Sequence, residues 1–283
     1  MAESEADRLW RSLLLGEAAV LRKGRHFFRL LPHRDSTRCK LCMAPFDGMG
    51  AVVARMMGKR PANKSPQYCN DCEVFAGNHR GGAEIELTLL FADVRGSTAI
   101  AQSMSAAAFG ALMNRFYATA MRALVASDAL IDKLIGDEVV GLYIPGFCGV
   151  DHADKALGAA SRILGDTGHG DASGSERPWV PVGIGIHCGT AYVGTVGAPD
   201  GFTDFTALGD AVNFAARLAS QAETGEILIS DAALAHCVAA PAALPRREVV
   251  LKGYDRPVGV NVMKARMTGG GVAAGEHAFM PML

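Results

Sequence analysis

The order of apolar periodicities predicts an α+β fold, a sheet of strands flanked by helices. Residues 87–91 form an uncharged apolar run that reads as a strand buried on both faces, with Asp93 at its exit. Residues 130–135 and 139–144 read as two short strands joined by Gly136, Asp137 and Glu138, a hairpin with a carboxylate at its tip. Between them Phe109, Leu112, Met113, Phe116, Ala120 and Leu124 recur at helical spacing, and Ser105 is placed to cap that helix.

The other elements follow in order. Residues 4–23 read as one amphipathic helix, because Leu9, Trp10, Leu13, Leu14, Ala18 and Leu21 share a face. It either packs on its own domain or serves as a dimerisation or partner-binding helix. Arg22, Lys23, Arg25 and Arg29 then form a basic patch around Phe27 and Phe28. Beyond the hairpin, residues 151–164 are helical and 165–178 a polar surface loop. Val180, Val182, Ile184 and Ile186 alternate with Pro181, Gly183 and Gly185, which predicts a strand whose glycine side meets a close neighbour. Residues 191–196 are expected to pair back on it after Cys188 and Gly189. Asp210, Asn213, Arg217 and Gln221 line one helical stripe, and Val212, Ala215, Ala216 and Ala219 occupy the other faces. A strand at 226–229, a short helix, and strands near 248–251 and 258–263 complete the domain. The Gly-rich tail, 267–283, is expected to be mobile.

Charge and cysteine content divide the chain. Residues 1–80 carry 14 Lys and Arg against 8 acids, and the remainder 14 against 21, within a net charge of −1. A boundary is therefore expected near Arg80, with Gly81 and Gly82 as a hinge. Of seven cysteines, Cys39, Cys42, Cys69 and Cys72 form two Cys-x2-Cys hooks. Two hooks supply the four thiolates of a tetrahedral metal shell, and the loop-rich stretch between them has little core of its own. Zinc is the expected metal, with iron or an iron–sulfur centre as the alternative. Four protein ligands leave no open position, so the role is structural. Cys188, His79 and His187 read as packed structural groups. The expected units are an N-terminal helix and basic segment (1–35), the cysteine module (36–82), the main domain (84–266) and the tail. No apolar run reaches the length of a membrane span, and the amino terminus lacks a signal-peptide pattern. A soluble, cytoplasmic protein is expected.

Asp93 is placed to hold a cation. The turn after it, Val94, Arg95, Gly96, Ser97 and Thr98, is placed to hold phosphate on its amides.

Five collinear segments, FADVRGST, DKLIGDEVVGLY, GIGIHCGTAYVGTVG, TALGDAVNFAARL and LKGYDRPVGV, resemble the class III nucleotidyl cyclase catalytic domain from about Glu84 to Lys264. The resemblance implies a ferredoxin-like βαββαβ sheet working as a homodimer, and conversion of ATP to 3′,5′-cyclic AMP and pyrophosphate. Asp93 and Asp137, with the backbone of Val94, match the sites of two magnesium or manganese ions. Two carboxylates about 4 Å apart repel by about 4 kcal/mol at an effective dielectric of 20, which a cation between them relieves. Asn213 matches the residue orienting the ribose, Arg217 the one bonding the α-phosphate, and Lys252 a lysine on the terminal phosphates. In homodimeric members the metal aspartates come from one chain and the Lys, Thr, Asn and Arg from its partner. Lys133 matches the lysine that reads adenine, where guanylyl cyclases carry glutamate. Thr206 departs from the aspartate of many adenylyl cyclases, although a bacterial subgroup with threonine there still uses ATP. A hydroxyl both accepts and donates, so discrimination against GTP is expected to be looser. A guanylyl or mixed cyclase is the first alternative, and a silent cyclase-like or nucleic-acid-binding protein the second. The diguanylate cyclase hairpin is absent, and the +6 N-terminal region has no base-reading motif, so nucleic acid is not an expected partner.

Overall fold

A computed structural model describes residues 5–17, 19–32, 38–62, 68–170, 178–197, 203–241 and 243–265. The expected mobile tail lies outside the described residues. The N-terminal part folds into α1 (Glu5–Leu14), α2 (Ala19–Leu30), α3 (Gly48–Met56) and α4 (Asn70–Asn78). The sheet begins with β1 (Gly82–Val94), followed by α5 (Ser97–Gln102), α6 (Ala106–Ala126), β2 (Leu130–Ile135) and β3 (Glu138–Tyr143). Next come α7 (Pro145–Cys148), α8 (His152–Asp166), β4 (Val182–Gly197), β5 (Thr203–Leu208) and α9 (Asp210–Gln221). The chain closes with β6 (Glu226–Ser230), α10 (Asp231–Ala235), β7 (Arg246–Val249) and β8 (Val258–Lys264).

The sheet runs β2-β3-β1-β4-β6-β8-β7, with β5 also paired to β4. The path β1–α6–β2–β3–α8–β4 is the expected βαββαβ unit. Its first strand is buried on both faces, as its composition requires. Leu87, Leu89 and Phe91 pack with Trp10, Leu14, Ala215 and the four hook cysteines. Leu90, Ala92 and Val94 face Phe116, Ala120, Ile163 and Leu164 of α6 and α8. Ser105 caps α6, its hydroxyl accepting from the Ala108 amide at 3.2 Å.

Four expectations need correction. Residues 4–23 are not one helix, because the chain breaks at Gly16, whose φ of +79° is left-handed. A Cβ on Gly16 would stand 2.9 Å from the Gly146 Cα, so the break is also a close backbone crossing. The buried face of α1, Trp10, Leu13 and Leu14, packs on its own chain. The basic patch is likewise partly internal. Arg25 is buried and donates to the carbonyls of Lys40 and Leu41 in the first hook, and Arg29 pairs with Asp128 at 2.9 Å.

The third correction concerns the expected turn at Cys188 and Gly189. Residues 182–197 form one strand, paired with β1 from Gly82↔Gly194 to Val94↔Val182. The hairpin partner of its second half is β5, from Tyr192↔Leu208 to Gly197↔Thr203. Gly189 is there for space: a Cβ would lie 2.8 Å from His187 Nε2 and 3.0 Å from the Ala211 Cβ. Nor do Gly81 and Gly82 hang as a free hinge. Gly82 opens β1, and Gly81 exchanges hydrogen bonds with Thr195, N–H to Oγ1 at 3.0 Å and Thr195 N–H to its carbonyl at 2.9 Å.

The glycine side of β4 meets α9. A Cβ on Gly185 would stand 2.4 Å from the Ala219 nitrogen and 2.8 Å from the Ala215 carbonyl oxygen. Helix and strand backbones thus touch, which Ala215 and Ala219 permit. Gly185→Ala is expected to lift α9 off the sheet and destabilise the protein by about 1–3 kcal/mol, read as a lower urea midpoint at unchanged m.

Candidate active site

The site starts where β1 ends beside the β2–β3 turn. Asp93 lies opposite Glu138 in the β1–β3 register, and the Val94 amide donates to the Asp137 carbonyl at 3.0 Å. Gly136 takes a φ of +61° to make the turn, and Tyr117 donates its hydroxyl to the Gly136 carbonyl. Asp93 and Asp137 are thereby held at one edge of the sheet, both half-buried. Arg95 pairs with Asp93, and Ser97 donates to Asp137. The Arg95 guanidinium also donates to the Ser220 carbonyl at the end of α9, 2.7 Å away. Gly96, at φ +66°, turns the chain into α5, leaving Thr98 exposed. Burial first, then the neighbouring Asp137 charge, pushes the Glu138 carboxyl up to about 7. Packed acids with an arginine drawn against them make a place that demands positive charge, and this donor set suits a hard divalent cation. Arg95 and Glu138 were the members not singled out in the sequence as charge partners.

A second group lies along β2 and β5. Lys133 is half-buried and follows a β-bulge, for Ile131 pairs with Gly141 and Lys133 with Val140, leaving Asp132 as the extra residue. Thr206 is buried, and its hydroxyl donates to Asp132 Oδ2 at 2.9 Å. Both cysteine hooks reach this place. Lys40 Nζ donates to the Asp132 carbonyl at 3.0 Å and pairs with Asp204 at 3.4 Å. The Phe205 amide donates to the Tyr68 hydroxyl at 2.8 Å. Lys40 lies inside the first hook and Tyr68 directly before the second, and Asp132 directly precedes Lys133. Those adjacencies were the only sequence signals for these three residues.

The third group is the stripe on α9. Asn213 is exposed and Arg217 half-buried, its guanidinium 5.2 Å from the Tyr254 ring centroid. A Cβ on Gly253 would lie 3.5 Å from that guanidinium, so the loop carrying exposed Lys252 adjoins Arg217. Tyr254 donates to Asp210 at 2.7 Å. Among the described residues, no hydrogen bond or ion pair joins Asn213 or Arg217 to Asp93 or Asp137. His187 is structural, its ring 4.3 Å from Phe214 and its pKa lowered to about 4 by burial. Cys188 is buried in mid-strand and His79 stacks on Phe75 at 4.7 Å.

Cys39, Cys42, Cys69 and Cys72 place their sulfurs within 4.8 Å of one another, all buried. Cys42 and Cys69 are 3.7 Å apart, close to the spacing of about 3.8 Å expected for tetrahedral Zn–S bonds of about 2.3 Å. Hydrogen bonds from Cys39, Cys42 and Cys72 favour the thiolate at Cys69, while bonds among the same sulfurs push Cys42 and Cys72 up. The Cys69 amide donates to Cys39 Sγ at 3.2 Å. Four buried sulfurs with this mutual spacing fit one thiophilic ion.

The sequence profile of the adenylate and guanylate cyclase catalytic domain matches residues 83–262. The chain belongs to this family. An adenylate cyclase of Anabaena cylindrica is 30% identical over 209 residues, 71% of this chain and 40% of that protein. An uncharacterized protein of Mycobacterium tuberculosis is 32% identical over 186 residues, 63% of this chain and 32% of the other. This cyclase chain therefore spans well under half the length of these relatives. The adenylyl cyclase CyaB from P. aeruginosa superposes with a TM-score of 0.53 at 28% identity, over 64% of this chain and 95% of that one. The guanylyl cyclase Cya2 shares the fold, with a TM-score of 0.57 at 24% identity over 64% and 93%. Class III cyclases use divalent metals, which accords with the acidic edge at Asp93 and Asp137. Among the described residues, no helix is long and apolar enough to cross a membrane.

Proposed function

We propose that this cyclase converts ATP to 3′,5′-cyclic AMP and pyrophosphate at two equivalent sites shared between two copies of the chain. The observation that carries this reading is the separation of the groups. Among the described residues, no hydrogen bond or ion pair joins Asn213 or Arg217 to Asp93 or Asp137, and the contact between the acidic edge and α9 is Arg95, which spans from Asp93 to the Ser220 carbonyl. A twofold partner completes both sites at once, since an isologous interface supplies every contact twice.

Asp93, Asp137 and the Val94 backbone hold two magnesium or manganese ions. When bound, these ions neutralise the triphosphate and make the ribose 3′ hydroxyl more acidic. The amides of Gly96, Ser97 and Thr98 cradle the phosphates, and Arg95 gives up its place against Asp93 to the divalent cations. From the partner, Asn213 orients the ribose and Arg217 bonds the α-phosphate, with Lys252 on the terminal phosphates. The 3′ hydroxyl passes its proton to solvent as its oxygen attacks the α-phosphorus, and the bond to the β,γ-pyrophosphate breaks in line. Lys133 donates to the adenine ring, and Thr206 accepts from its amino group.

Mixing inactive chains tests this. Asp93→Ala and Arg217→Ala are each expected to abolish cyclic AMP production from ATP and manganese. Together, half the dimers are mixed and each keeps one intact site, so about a quarter of wild-type activity returns. A mixture as silent as its components refutes the shared site. Wild-type product from GTP in preference to ATP refutes the substrate.

A further inference from the structure

Thr206 is a two-way group, since a free hydroxyl can accept from the amino group of adenine or donate to the oxo group of guanine. Its surroundings remove that freedom. Asp132 is 7% exposed, and Thr206 3% exposed, so neither exchanges partners readily with water. Oδ2 of Asp132 takes the Thr206 proton at 2.9 Å, the Ala207 carbonyl being a longer second acceptor at 3.4 Å, while Oδ1 is buried with no hydrogen-bond partner. Lys40 Nζ bonds the Asp132 backbone carbonyl and Asp204, with no hydrogen bond to the Asp132 carboxylate. Thr206 is thus the one side-chain hydrogen-bond donor to this carboxylate among the described residues, and turning its proton away would leave a buried carboxylate with no side-chain hydrogen bond, held only by the nearby charges of Lys40 and Lys133. Asp132 owes its position to the bulge in β2, a device that re-aims a side chain beside a site.

We propose that Asp132 is a positioning residue for base selection, fixing the Thr206 hydroxyl as an acceptor so that it receives a 6-amino group and rejects a 6-oxo group. The carboxylate does not touch the base. It sets the polarity of the residue that does, and so restores from β2 the discrimination that a threonine in place of an aspartate gives up. This rests on the reading of Thr206 as a base contact.

The test is the ratio of kcat/KM for ATP to that for GTP, with equilibrium binding of both nucleotides as a readout independent of turnover. Asp132→Ala leaves the hydroxyl only its long contact to the Ala207 carbonyl, and Asp132→Leu does so while filling the space. Either is expected to narrow the ratio about tenfold, chiefly through KM, the size of one good polar contact to a base. A merely structural role lowers both nucleotides together and leaves the ratio alone, which would overturn the proposal. Thr206→Val separates this from the underlying reading. If Thr206→Val leaves the ratio unchanged, Thr206 is not a base contact and both ideas fall. If it narrows the ratio while folded Asp132 variants do not, only the role of Asp132 falls. In the double variant, Asp132→Ala is expected to change the ratio no further than Thr206→Val alone, because it acts through that hydroxyl.

Discussion

Asp93→Ala is expected to lower cyclic nucleotide production about a thousandfold or more while the protein stays folded. The size follows from its proposed role: a ligand that holds divalent charge against a reacting phosphate is worth several kcal/mol, and each 1.36 kcal/mol is a factor of ten. The stability cost is smaller. The Asp93 side chain is 18% exposed and its partner Arg95 21%, so the pair is partly solvated, and Arg95 keeps its bond to the Ser220 carbonyl. Loss of a pair this sheltered costs more than the about 1 kcal/mol of an exposed pair and less than the about 3–5 kcal/mol of a fully buried one. The strand itself does not depend on Asp93, because Leu87, Leu89, Leu90, Phe91 and Ala92 anchor β1 on both faces. Initial rates with ATP and manganese, alongside thermal unfolding, separate the two effects. A folded Asp93→Ala protein that retains a tenth of wild-type activity would remove Asp93 from the metal site.

This carboxylate was legible in the sequence because its signals are local. An uncharged run ending in an acid places that acid at a strand exit, and a Gly-Asp-Glu turn between two short strands places Asp137 at a hairpin tip, while their adjacency was implied only by the cyclase resemblance. The alternation of Gly183 and Gly185 with apolar residues likewise announced a close neighbour, which proved to be α9. The misreadings arose where one residue type serves two physical ends. Gly189 suggested a turn, yet it clears room for His187 and Ala211 in an unbroken strand. Gly16 sat inside a good helical periodicity, and only its crossing with Gly146 shows why the helix stops there. The contacts that organise β2 and β5 are long-range. Thr206 with Asp132, Lys40 with Asp132 and Phe205 with Tyr68 join residues 74, 92 and 137 apart, which no local pattern reports.

Those same contacts determine what metal loss does. Stripping the four-cysteine site is expected to destabilise the whole described domain by several kcal/mol, not to release a separate module. Structural zinc in small peptides is worth about 10–16 kcal/mol, and here the hook cysteines share one apolar cluster with Trp10, Phe205, Val193 and Leu142. Buried thiols without their ion also crowd four sulfurs into a space that suits them only as ligands. Trp10 is the probe, since it is 1% exposed, bonded to the His79 carbonyl, and packed 5.3 Å from Phe205. Its emission should shift to the red as chelator removes the metal, together with a fall in the urea midpoint. The active site should respond unequally. Lys40 and Tyr68 hold β2 and β5, so KM for ATP rises before the acidic edge at β1 and β3 is disturbed. Tyr68→Phe removes one hydrogen bond and leaves every cysteine, and should raise KM about 2- to 10-fold at full metal content. Metal analysis and the visible spectrum identify the ion, for zinc is colourless and an iron–sulfur centre is not. A chelated protein with unchanged emission, midpoint and KM would show that the four cysteines pack as thiols and that the hooks brace β2 and β5 without a metal.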